Sequence, residues 1–129
     1  MDEIFFQKES LKLLSKHNSV RINYPHLVGQ THYGVRIILP SMIDKDNSKV
    51  LSIVPFQVAF DKNHGYKGSY RVYKVTKKGK LYINPTDYGW DFFSNLSDAE
   101  AYVKSLKRLF QSCIDLKIKE LHELRDSLN

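Results

Sequence analysis

The sequence predicts an α+β fold, with one antiparallel sheet of about four to five strands, a short N-terminal helix and a long C-terminal helix. Three observations carry this. Strong helix formers with apolar residues at helical spacing occupy both ends of the chain. The middle is rich in β-branched and aromatic residues, punctuated by Gly, Pro and Asn. At 129 residues the chain has the length of one ordinary domain and can bury a core. No repeat, low-complexity run or linker divides it, so residues 1–129 are expected to form a single domain.

The first helix is expected over residues 2–17. Two acids lead it, Asn18 stops it, and Ile4, Leu11 and Leu14 share one side with Phe6 and Leu13 beside them. Residues 19–84 are expected to form the antiparallel sheet. Residues 19–24 alternate before Pro25, and Tyr33 to Leu39 is β-rich and closed by Pro40. Residues 41–48 read as a surface loop. Val50 to Phe60 is strand-like on both sides of Pro55, which predicts a sheet edge or a bend, because proline cannot donate to a ladder. Two further β-rich runs, 69–75 and 80–84, are joined by Lys77-Lys78-Gly79, a connection that suits a bulged turn with glycine in the left-handed position. Residues 85–96 read as an aromatic connection that packs as a plug. Ser97-Asp-Ala-Glu100 reads as a capping box, and nothing breaks a helix over 97–128.

Charge is unevenly distributed. Twenty Lys and Arg against 14 Asp and Glu give a net charge of +6. Residues 62–80 hold Lys62, Lys67, Arg71, Lys74, Lys77, Lys78 and Lys80 and no acid, so the other residues together are close to neutral. If Thr76 pairs with Lys80, then Val75 faces Leu81 and Tyr73 faces Ile83 on one face of the sheet. The opposite face then collects Tyr70, Val72, Lys74, Lys80, Tyr82 and Asn84. Amines neutralise phosphates and rings accept any base by stacking, so this mixture is what a single strand of DNA or RNA requires. The candidate nucleic-acid-binding residues are therefore Lys67, Tyr70, Lys74, Lys77, Lys78, Lys80 and Tyr82. The same composition also fits a hairpin kept soluble by its lysines, or one docking on an acidic protein surface.

A continuous helix over 97–128 would run about 48 Å, whereas a compact domain of this length is only about 30 Å across. Its apolar residues recur at steps of three or four from Val103 to Leu128. The first half is expected to pack as ordinary core. The second half, with Ile114, Ile118, Leu121, Leu124 and Leu128, is the candidate oligomer interface.

Catalytic and metal-binding patterns are weak. Cys113 is the only cysteine, which excludes an intramolecular disulfide and a cysteine-based zinc site. Asp44-Lys-Asp46-Asn-Ser48 opens like a calcium loop but then places Lys49 and Pro55 where glycine and glutamate belong. His26 and His32 lack a third ligand nearby, and Asp87 with Asp91 is too thin a basis for a metal-dependent nuclease. Asp61 and His64 remain an acid–base pair that a metal-free nuclease would use. The expectation is a non-enzymatic nucleic-acid-binding protein, without cofactor or metal, that forms a homo-oligomer. Its partner would be DNA or RNA, single strands favoured, or an acidic protein surface. The alternative is a protein-binding regulator or inhibitor encoded by a phage or mobile element. Met1-Asp2-Glu3 gives no basic leader, and no apolar run approaches the roughly 20 residues of a membrane span. No membrane partner is therefore expected, and a cytoplasmic location is, in the host cytoplasm if the gene belongs to a phage.

Overall fold

The computed structural model describes residues 3–22, 25–36, 51–82 and 90–129. The strand end expected at 37–39, the loop at 41–48 and the aromatic residues 85–89 lie outside the described residues. The chain runs through α1 (Glu3–Ser15), β1 (Ser19–Val20), a single 3-10 turn (Pro25–Leu27), β2 (Thr31–Arg36), β3 (Ile53–Asp61), β4 (Ser69–Thr76), β5 (Gly79–Tyr82), β6 (Trp90–Phe93) and α2 (Leu96–Ser127). The fold is α+β as expected, with one sheet of six strands rather than four to five, in the order β1-β6-β2-β3-β4-β5. All its ladders are antiparallel.

The additional strand is β6, inside the segment expected to be an aromatic connection. It inserts between β1 and β2, pairing Phe93 with both Ser19 and Tyr33. Phe92 and Phe93 are adjacent, so they point to opposite faces of the sheet, and both are buried. A strand buried on both faces shows no polar alternation, which is why the run resembles a plug in sequence.

Each face of the sheet carries its own core. On one, Val35 and Phe93 meet Ala99, Tyr102, Val103 and Leu106 of α2, with Tyr33 and Ile53 packed alongside. On the other, Phe56, Val58, Val72 and Phe92 are covered by Val20, Ile22 and Leu27. β3 lies between β2 and β4, so Pro55 sits in an inner strand, neither at an edge nor at a break. It stands opposite Tyr33, and the ladder to β4 begins one residue later at Phe56, so the missing amide leaves that ladder whole.

The two helices pack antiparallel over the first half of α2. Phe6 meets Phe110 at 4.6 Å between ring centroids, and Cys113 completes that cluster. At the other end of α1, His17 lies 5.6 Å from the Tyr102 ring and its Nε2 is 3.2 Å from Ser105 Oγ. The buried side of α1 runs through Phe6 and Ser10, and Leu11, expected on the apolar side, is exposed. α2 is capped by Asn95 rather than Ser97. Asn95 Oδ1 accepts from the Asp98 amide at 2.9 Å and from Ser97 Oγ at 2.8 Å.

Coverage of α2 stops at Cys113. Its buried residues are Ala99, Tyr102, Val103, Leu106, Phe110 and Cys113. Beyond them Ile114, Leu116, Ile118, Leu121 and Leu124 are 40–57% exposed. The apolar stripe continues without a break past Cys113, while burial of the helix ends there. None of the described helices is long and apolar enough to cross a membrane.

Candidate nucleic-acid interface

β4 and β5 position the basic segment, but in a register one residue from the expected one. Thr76 pairs with Gly79, Val75 with Lys80, Lys74 with Leu81 and Tyr73 with Tyr82. The turn is thus a two-residue loop, Lys77-Lys78, closed by a 2.7 Å bond from Thr76 Oγ1 to the Gly79 carbonyl. Because side chains alternate with a period of two, this slip re-sorts the whole hairpin. Lys80 now stands opposite Val75 and Tyr82 opposite Tyr73, so both positions leave the face expected to hold them with Tyr70 and Lys74; the Tyr82 side chain lies outside the described residues.

The expected open face is also not open along its length. Val72, between Tyr70 and Lys74, is buried against Val58, and Lys74 is half-buried opposite Phe56. What remains are two separate exposed ends. At the tip, Thr76, Lys77, Lys78, Gly79 and Lys80 line a concavity of about 520 Å³. At the other end lie Lys62, Tyr66, Lys67 and Tyr70, all exposed. The eight residues of β4 separate these ends by about 24 Å at roughly 3.4 Å per residue.

Arg71 does not join the basic surface. It bonds to Asp61 Oδ2 at 3.3 Å across the β3–β4 ladder, and the Tyr73 hydroxyl donates to the same oxygen at 3.5 Å. The Asn63 amide donates to Asp61 Oδ1 at 3.0 Å. That bond, helped by Arg71, holds the Asp61 carboxyl below its usual range. Asp61 is therefore a loop-fixing and strand-linking group, and His64, whose amide donates to the Asp61 carbonyl at 3.3 Å, is exposed.

His26 and His32 do not share a site, because His26 is exposed in the 3-10 turn while His32 is buried in β2. No cluster of three His, Cys, Asp or Glu among the described residues is arranged to hold a metal ion. Cys113 is a buried small hydrophobe whose thiol burial pushes up. Asp91 lies between the sheet and α2, where it accepts from the Tyr102 hydroxyl at 3.2 Å. Burial raises its carboxyl to about 6, against the opposing effect of that hydrogen bond.

Two exposed aromatics at the loop end were not among the sequence candidates, Phe60 and Tyr66. Tyr66 stands beside Lys67, whose Nζ lies 5.9 Å from the ring centroid, and its place in a basic loop was a usable signal. Phe60 becomes visible only through its pairing with Tyr70. Comparisons of the chain with protein-family models, with curated proteins and with solved structures gave no match.

Proposed function

We propose that this is a non-enzymatic nucleic-acid-binding protein, favouring single strands, that self-associates through the second half of α2. The observation that carries the reading is the exposed cluster Lys77, Lys78 and Lys80 at the hairpin tip, within a 62–80 segment that contains no acid. Lys62 and Lys67 extend the same positive field at the other end of β4. Such a surface binds phosphates by releasing counterions, and the affinity must then fall log-linearly with salt. Five exposed lysines, each meeting one phosphate, give a slope of about −3.5 for a single strand.

A fluorescence anisotropy titration across salt concentrations measures this slope. Lys77→Glu/Lys78→Glu/Lys80→Glu is expected to abolish binding at moderate salt, and unchanged affinity in that variant would sink the reading. The second reading, a protein-binding regulator, is favoured by a different observation, the exposed apolar face of α2. Co-purification with and without nuclease separates the two, since only bound nucleic acid is lost on digestion.

A further inference from the structure

We infer that Phe60, Tyr66 and Tyr70, flanked by Lys62 and Lys67, form a base-stacking platform that selects single-stranded nucleic acid over duplex. This rests on the nucleic-acid reading above and assigns its strand selectivity to the end of the sheet away from the lysine tip. Large aromatics on a sheet are ordinarily covered, yet here Phe60 is 51% exposed, Tyr70 40% and Tyr66 97%. Three open rings within eleven residues of chain, with two lysines among them, combine the two groups a single strand needs.

The platform is held in shape. Phe60 and Tyr70 are partners across the β3–β4 ladder, with ring centroids 5.3 Å apart at 63°. Gly68, at φ +80°, closes the other side. A Cβ there would come within 2.6 Å of Phe60 Cζ, so only glycine leaves the ring in its place. Asp61 is the one acid in residues 60–70, and its carboxylate is engaged by Arg71 and the Asn63 amide. Within residues 60–70, therefore, no unpaired carboxylate repels a phosphate.

Duplex DNA hides its base faces inside the stack, so open rings reward only unpaired bases. The lysine tip, by contrast, meets phosphates in either form. Removing rings must therefore cost single-strand affinity and spare duplex affinity.

The test uses the full chain with a labelled oligothymidylate and a labelled duplex of equal length, at one fixed salt concentration. Tyr66→Ala removes a ring that takes no part in the cross-strand pair, and Phe60→Leu/Tyr70→Leu removes the pair while keeping apolar bulk. Each is expected to weaken single-strand binding by about five- to a hundred-fold, with duplex binding unchanged. Gly68→Ala keeps every ring and charge but displaces Phe60, and an intermediate loss is expected. Circular dichroism melts confirm that each variant is folded. Undiminished single-strand affinity in folded Tyr66→Ala and Phe60→Leu/Tyr70→Leu overturns the platform, and so does an equal loss for both nucleic acids. Binding of a polyglutamate peptide through these rings, with no oligonucleotide binding, overturns it in favour of an acidic protein partner. A wild-type chain that binds neither nucleic acid defeats the broader reading as well, whereas ring-insensitive binding defeats the platform alone.

Discussion

Asp91 is a carboxyl placed where an apolar group would pack, and its position has a pH signature. Its folded-state value of about 6 lies above the ordinary 3.8, so the folded protein holds this proton more tightly than the unfolded chain does. The corresponding stability is fully present below about 3.8 and is lost as pH rises through about 6. Asp91 is half-buried and partly screened by solvent, which reduces the effect to on the order of 1–2 kcal/mol. Asp91→Asn keeps an acceptor for the Tyr102 hydroxyl and removes the buried charge. It is expected to exceed wild type in denaturant-derived stability by that amount at pH 8 and to match it at pH 4. A wild-type advantage at pH 8 would contradict this assignment. In the sequence Asp91 is one acid among aromatics, and only the pairing of β6 with β2, which sets it opposite Val35, reveals its burial.

Among the elements, the β4–β5 hairpin was legible in the sequence and its register was not. Gly79 closes both a two-residue and a three-residue connection, and the flanking residues alternate acceptably in either. What the hairpin's own residues do not reveal is which face of β4 is covered, and that is fixed by pairing with β3, Val58 against Val72 and Phe56 against Lys74. Two-residue loops strongly prefer Asn-Gly over Lys-Lys. Lys77→Asn/Lys78→Gly is therefore expected to raise the melting temperature by a few degrees while weakening nucleic-acid binding. A lowered melting temperature would argue for the longer loop. The α2 cap was misplaced by two residues for a similar reason, since Asn95-x-x-Asp98 and Ser97-x-x-Glu100 overlap and local pattern alone does not rank them. β6 was missed because its partners lie far away in sequence and its buried faces remove the alternation that marks a strand.

At the scale of the whole molecule, the C-terminal helix was legible because its periodicity is local, and the limit of its burial was not. That limit depends on contacts from elements distant in sequence, the sheet against the first turns of α2 and Phe6 of α1 against Phe110 and Cys113. The 14 residues from Ile114 to Ser127 extend about 21 Å past the core with their apolar side uncovered. The self-association proposed above would cover this stripe with a second copy. Over its full length α2 carries six basic and six acidic residues, which leaves two copies free to approach without net repulsion. Ile118→Glu/Leu121→Glu alters only exposed positions and should leave the domain folded. Sedimentation is expected to give a concentration-dependent dimer mass for wild type and a monomer mass for this variant. Monomers in both cases would remove the self-association.

The position of β6 also orders events during synthesis. β2 to β5 are successive neighbours in the sheet, but among the described strands β1 pairs only with β6. While the chain is being made, Ser19 and Val20 have no strand to join until Trp90 to Phe93 has emerged. The inner edge of β2 stays bare for the same interval. Closing so distant a contact is the slow part of assembling a sheet. The nascent chain thus carries an open strand edge on β2 while the residues from Arg36 to Trp90 are made, and it is sealed only as the C-terminal helix begins to appear.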